Sequence, residues 1–316
     1  MIRVAVTRAV AVAATLFAAC AVAEEPGPTV EGRPLALTAT PTLLGPARFG
    51  PGVDLLGAWV LSASDPDFGG ISGLLIEGTA LTAVTDRGRW LTARLESETP
   101  ELISDARIAR MRHEDGRPLE GRQEWDAEGL TRLAGQLVVS FEQDHRLMLH
   151  LGGGRLGQAF TLMGVGALPS NAGLEGLAAL PDGRLLAIAE GRDGDAFPFW
   201  VVGPAQGIQG VLPARSKHDV TAADIGPDGR LYLVQRHYSR AEGVSIRVLR
   251  YLLGEGGTPV AGSAVELAAF DALSGIDNME GIAAVGGPDG LTLWIVSDDN
   301  FNPPQRNLLV ALTLDR

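Results

Sequence analysis

Three carboxylates make the first chemical suggestion in this 316-residue chain. Glu128, Glu175 and Glu280 each stand in a Glu-Gly-Leu or Glu-Gly-Ile step that opens an apolar run. Carboxylates brought together on a narrow axis repel one another and hold their protons more tightly. A cation relieves that repulsion. Hard oxygen donors, with few histidines and no cysteine among them, favour Ca²⁺ over zinc. The alternative role is structural, with each Glu capping its own strand by accepting backbone N–H bonds. "SDDN", residues 297–300, adds Asp298 and Asp299 as oxygen ligands. It lacks the spacing of an EF-hand loop and reads equally as a solvated turn. The candidate metal ligands are therefore Glu128, Glu175, Glu280, Asp298 and Asp299.

Basic and imidazole groups recur at matching places. His218-Asp219 and Arg236-His237 supply histidines able to act as a general base or to bind phosphate, and each also reads as an ordinary loop histidine. Candidate catalytic residues are Glu175, Glu280, His218 and Arg236. Candidate substrate-binding residues are Arg87, Lys217, His237 and Arg192. No Gly-x-Ser-x-Gly, His-Glu-x-x-His, phosphate-loop or dinucleotide fingerprint occurs.

What must position these groups is a repeated hairpin. Five segments align: 68–88, 125–144, 172–191, 219–237 and 278–300. Each has a small-residue start, an apolar run, a Gly-containing turn, a second apolar run and a charged cluster. The matched starts are Ser72, Glu128, Glu175, Thr221 and Glu280, spaced by 46–59 residues. Runs such as "QLVVSF", "RLYLVQ" and "LTLWIV" are short and rich in Leu and β-branched residues, which reads as strand. Pro-Asp-Gly at 181–183, 227–229 and 288–290 is turn chemistry: Pro presets φ, Asp bonds its own backbone and Gly accepts positive φ.

Further short runs between the hairpins supply outer strands. Four strands per repeat at this spacing predict an all-β fold, a single β-propeller. A β-sandwich is the competing architecture, and the charged cluster recurring at one phase favours the propeller. The count is five blades, with six as the alternative, and an N-terminal strand closes the ring. The start of a first strand and the end of its antiparallel partner share one edge. All the charged clusters therefore meet at one mouth of the ring.

The ends and the composition bound the rest. Arg3 and Arg8 precede the apolar "AVAVAATLFAA", and "AVA" ends at Ala23, so residues 1–23 read as a signal peptide. Residues 24–34 read as a linker and 35–316 as the propeller domain. Export to the periplasm or medium is expected, with lipoprotein processing at Cys20 as the lesser alternative. The apolar stretch is too short to span a bilayer. Cys20 is the only cysteine, so a chain cleaved at Ala23 carries no disulfide and no thiol nucleophile. The net charge of −12 argues against nucleic acid and suits divalent cations. A monomer acting on a small molecule is expected.

The segments "DFGGISGL" (67–74), "VTDRG" (84–88), "DAEGL" (126–130), "NAGLEGLAALPDGRLLAIAEG" (171–191) and "NMEGIA…LWIVSDDNF" (278–301) together resemble the phytase-like family of exported bacterial proteins, labelled "esterase-like activity of phytase". The resemblance spans about residues 55–316. It implies a β-propeller and a hydrolase acting on a phosphate ester or another ester, and it does not specify the substrate. The chemistry expected at an acidic mouth is calcium-assisted hydrolysis. Two other readings remain at this point: a non-catalytic periplasmic propeller that binds a ligand or protein, and a calcium-assisted lactonase or carboxylic esterase.

Overall fold

The computed structural model describes residues 30–96, 102–203, 207–287 and 290–315. The leader read over residues 1–23 lies outside them. Four N-terminal strands come first: β1 (Arg33–Pro34), β2 (Thr38–Pro41), β3 (Ala47–Phe49) and β4 (Val53–Ser62). Blade 1 follows as β5 (Ile71–Glu77), β6 (Ala80–Thr85), β7 (Arg89–Leu95) and β8 (Ile103–Arg110). A one-turn helix, α1 (Arg122–Trp125), leads into blade 2, formed by β9 (Ala127–Leu133), β10 (Gln136–Phe141), β11 (Arg146–Gly152) and β12 (Arg155–Thr161). Blade 3 holds β13 (Gly176–Ala179), β14 (Leu185–Ile188), β15 (Ala196–Val202) and β16 (Gly207–Pro213). Blade 4 holds β17 (Asp219–Ile225), β18 (Leu231–Ser239), β19 (Gly243–Tyr251) and β20 (Val265–Phe270). The last elements are β21 (Asn278–Gly287), β22 (Gly290–Asp298) and β23 (Asn307–Leu314).

The innermost strands β5, β9, β13, β17 and β21 contact one another in that order, and β21 returns to β5. The fold is a five-bladed propeller. Blade 5 is completed by β4, which pairs with β23 through Leu309↔Trp59 and Ala311↔Gly57. That is the N-terminal closure the sequence implied, and it settles the count at five blades. The N-terminal segment does more than close the ring. Its β1 pairs with β8 of blade 1 and its β3 with β20 of blade 4. Arg33 and Pro34, the last residues of the stretch read as a linker, thus join an outer edge.

The hairpin turns follow their residue types. Gly183 and Gly229 sit at φ of 79° and 71°, the left-handed region that Gly enters without a Cβ clash. Asp182 and Asp228 accept hydrogen bonds from the backbone of Arg184 and Arg230 two residues on. Buried apolar side chains form five clusters, each drawing on two adjacent blades. Val84 and Trp90 of blade 1 pack with Leu137 and Phe141 of blade 2, and Val234 of blade 4 packs with Ile295 of blade 5. A blade cannot bury its faces alone, so the ring is the smallest unit that hides them all.

The register carries the feature that matters most for function. In β5, β17 and β21 the ladder skips one residue, and the skipped positions are Ser72, Thr221 and Glu280. In β9 an equivalent shift falls over Glu128-Gly129. These are β-bulges, which kink a strand and re-aim one side chain. Where the residue is Ser or Thr, it ties blades together: the Ser72 hydroxyl donates to the Ala127 carbonyl at 2.5 Å and Thr221 to the Met279 carbonyl at 2.7 Å. Between blades 2 and 3 the same link runs through Ser140, which accepts from Gly129 N–H at 2.7 Å and donates to the Leu174 carbonyl at 2.7 Å. Where the residue is Glu, a carboxylate takes that place.

Candidate functional site

Glu128 at its bulge, and Glu175 one residue before β13, are each only 8% exposed. Among the described residues, neither carboxylate accepts a hydrogen bond or makes an ion pair. Burial first, and then neighbouring carboxylates, push both far above the usual range: Glu175 and Glu280 act on Glu128, and Glu190 and Glu280 act on Glu175. The capping alternative therefore does not describe them, since no backbone N–H reaches either group.

The ends of the second strands supply their neighbours. Asp126, Glu128 and Glu142 bring one oxygen each to within 4.8 Å of one another, and so do Glu142, Glu175 and Glu190. Backbone contacts hold the set in place. Glu142 N–H donates to the Asp126 carbonyl at 2.9 Å, and Glu190 N–H to the Gly173 carbonyl at 3.0 Å. A Cβ on Gly173 would lie 3.3 Å from Cγ of Glu142, so a larger residue there would press on that side chain. Arg122 of α1 donates to Asp126 Oδ2 at 2.8 Å and to Glu142 Oε2 at 3.2 Å. Gln143 Nε2 donates to the same two oxygens at 2.9 and 2.7 Å. Burial lifts Glu142 to about 7.

Arg236 organises the opposite side. It donates to Glu280 Oε1 at 2.6 Å, to Glu190 Oε1 at 3.1 Å and to Asn278 Oδ1. Asn278 Nδ2 donates in turn to Glu280 Oε1 at 2.6 Å. Burial raises Glu190 to about 7, although Arg236 pulls the other way. Asp86 also rises to about 7, through burial and then Glu280, and its Oδ1 is buried without a hydrogen bond. Beside this cluster opens a groove of about 740 Å³ lined by Glu190, Asp219, Arg236, His237, Tyr238, Asn278, Asn300 and Asn302, among others.

The structure brings Glu128 and Glu175 together and places Glu280 beside them on Arg236. It does not bring Asp298 and Asp299 into either carboxylate trio. Asp298 accepts from Asn300 N–H at 2.6 Å, and Asp299 accepts from Gly70 N–H at 2.9 Å and Phe301 N–H at 3.2 Å. "SDDN" is thus largely spent on its own turn and on blade 1. Burial raises Asp298 to about 9. The cations are mostly engaged as well: Lys217 with Glu242, and Arg192 with Asp219 at 2.6 Å. Arg87 lies 3.3 Å over the Phe301 ring.

His237 lines the groove and sits 3.4 Å from Glu242. His218 turns away into a separate cavity of about 270 Å³. Its Nδ1 and Nε2 lie 3.0 Å from the Ser216 and Ser245 hydroxyls, and burial followed by Arg247 lowers it to about 4. Asp126, Glu142 and Glu190 fall within the repeated segments 125–144 and 172–191 whose charged clusters were expected at the mouth, but nothing in the sequence marks them as the neighbours of Glu128 and Glu175. Arg122 lies in an insertion outside the repeat phase, and nothing in the sequence marks it.

Two buried carboxylates without partners, each backed by two more acidic side chains, fit a divalent cation. All donors are oxygens, which suits a hard ion. The chain is thus a five-bladed propeller whose one mouth is an acidic, cation-compatible site. Residues 66–301 match the model of the phytase-like family, "esterase-like activity of phytase", and the chain belongs to that family. No curated protein matches it. Among solved structures it is similar to the PQQ-bound aldose sugar dehydrogenase of Streptomyces coelicolor, at 14% identity and a TM-score of 0.47, over 86% of this chain and 100% of that one. It is also similar to a protein provisionally described as a gluconolactonase, at 14% identity and a TM-score of 0.46, over 90% and 95%. At these scores neither likeness bears on the chemistry of the mouth.

Proposed function

We propose that the mouth hydrolyses a small-molecule ester or phosphate ester with the help of calcium, in an exported protein. The observation that carries this reading is the pair Glu128 and Glu175: two carboxyls, nine-tenths buried, that accept no hydrogen bond and make no close ion pair among the described residues, at the axis of a phytase-like propeller. Burying them is costly unless something positive arrives. Asp126, Glu128, Glu142, Glu175 and Glu190 are the residues that would hold the ion. When bound there, calcium supplies positive charge opposite the ester oxygen on which negative charge develops.

The chain's own residues do the rest. The groove admits the substrate, and Asn300, Asn302 and Tyr238 offer neutral hydrogen-bonding groups to orient it. Arg236 holds Glu190 and Glu280 in fixed positions, which keeps the acidic wall from collapsing inward. Asp86 stands outside both carboxylate trios with a pKa near 7, suited to accept a proton from water at neutral pH. The engagement of Lys217, Arg192 and Arg236 leaves little free basic charge for a bare phosphate. A phosphate ester would therefore depend on the cation more strongly than an uncharged ester.

The test is a panel of phosphomonoesters, phosphodiesters, lactones and acyl esters, assayed with calcium and with chelator. Hydrolysis that requires calcium and is lost in Glu175→Gln supports the reading. Hydrolysis unaffected by chelation overturns the cation's part in it. A flat panel on a calcium-loaded protein overturns catalysis and makes the mouth a binding site.

A further inference from the structure

We propose that the mouth takes two divalent cations rather than one, with Glu142 bridging them. The inference rests on the cation of the preceding reading and adds its number and arrangement. One ion would sit among Asp126, Glu128 and Glu142, and the other among Glu142, Glu175 and Glu190.

Three observations point this way. First, the five carboxylates do not gather as one set of mutually close oxygens. They divide into two sets of three that share only Glu142. Calcium–oxygen bonds of about 2.3–2.6 Å put opposite ligands of one ion about 5 Å apart, and the oxygens of each set all lie within 4.8 Å of one another. Second, each set contains its own buried carboxylate that has no hydrogen bond or close ion pair among the described residues, Glu128 in one and Glu175 in the other. A single ion in either set leaves the other carboxylate with only the more distant pull of a guanidinium, Arg122 on Glu128 or Arg236 on Glu175. Third, the supporting donors are divided in the same way. Arg122 and Gln143 steady Asp126 and Glu142, while Arg236 steadies Glu190. Outer donors of this kind orient ligands and tune affinity.

Charge agrees with the count. These five carboxylates with Glu280 face two guanidiniums, Arg122 and Arg236. Asp86 and Asp298 stand against Glu280 as well, so the acidic side exceeds these two guanidiniums by more than one divalent ion neutralises. The bridging position suits Glu142. It follows β10, its N–H is fixed on Asp126, and Gly173 of the blade 3 loop closes against its side chain.

The test is calorimetric titration of the chelated full-length protein with calcium chloride, with terbium luminescence as a second count. Two ions per chain are expected for the wild type. Glu128→Gln and Glu175→Gln should each leave one, and Glu142→Gln should weaken both by about tenfold or more. Glu280→Gln, whose carboxylate is held by Arg236, should still bind two. One ion in the wild type overturns the paired arrangement and leaves calcium-assisted hydrolysis standing; no ion overturns both. Two ions whose number is unchanged in Glu128→Gln and Glu175→Gln would place the sites elsewhere and overturn the assignment. Circular dichroism on each variant separates lost binding from lost folding.

Discussion

Replacing Arg236 with methionine removes the cation that, alone among the described residues, reaches both Glu190 and Glu280, while keeping most of the volume. The guanidinium is 23% exposed, and its partners are 19% and 12% exposed. Breaking a buried pair by deleting one partner costs about 3–5 kcal/mol, because a charge is left uncompensated. Partial exposure scales this to about 2–4 kcal/mol here. Urea denaturation in chelator at pH 7.5 measures the loss. The loss should also depend on pH. Glu190 has a folded pKa raised to about 7, so it is mostly protonated at pH 5 and then needs little from Arg236. Removing the guanidinium raises that pKa further, so wild type and variant should diverge only as pH climbs above about 6. The double variant Arg236→Met/Glu280→Gln should recover part of the loss. A cost below about 1 kcal/mol, or an equal cost at pH 5 and pH 7.5, would refute the reasoning.

Other outcomes follow from the same geometry. Raised carboxyl pKa values mean that the chelated native state holds protons that the unfolded chain releases, so its stability should fall from pH 5 to pH 8. Glu142 alone, moved from 4.5 to about 7, corresponds to about 1–3 kcal/mol after solvent screening; Glu142→Gln should make the profile shallower, and calcium at 100 times its Kd should restore about 2.7 kcal/mol. Thr221→Val strands the buried Met279 carbonyl and should cost about 1–3 kcal/mol in the same denaturation assay, without altering calcium stoichiometry. Asp86→Asn should lower kcat by about 10²–10⁴-fold while calcium binding persists, and an unchanged kcat would remove Asp86 from the chemistry.

The propeller was legible because its signal is periodic. Apolar runs, Pro-Asp-Gly turns and charged clusters recur at one phase, and closure by an N-terminal strand followed from the incomplete last blade, the structure showing that strand to be Val53–Ser62. The mouth was legible for the same reason, since antiparallel pairing fixes which ends meet. What was not legible is how side chains pair once they arrive there. The bulges that turn Ser72, Thr221 and Glu280 out of register appear in no residue pattern. The difference between Glu280 on Arg236 and Glu128 with no partner depends on a contact between blades 4 and 5. Asp298 and Asp299 resemble ligands by type, yet backbone N–H groups engage them. His218 shares the repeat phase but points to the flank of blade 4, where two serine hydroxyls hold its ring.

The most direct measurement of the central claim is a crystal structure of the full-length protein soaked in calcium, read with anomalous scattering at the mouth. Ion peaks coordinated by Glu128 and Glu175, with Glu142 between them and the groove beside Glu190 left open, are the predicted result. Glu128 and Glu175 bonded instead to protein N–H groups, with no ion at saturating calcium, would contradict it.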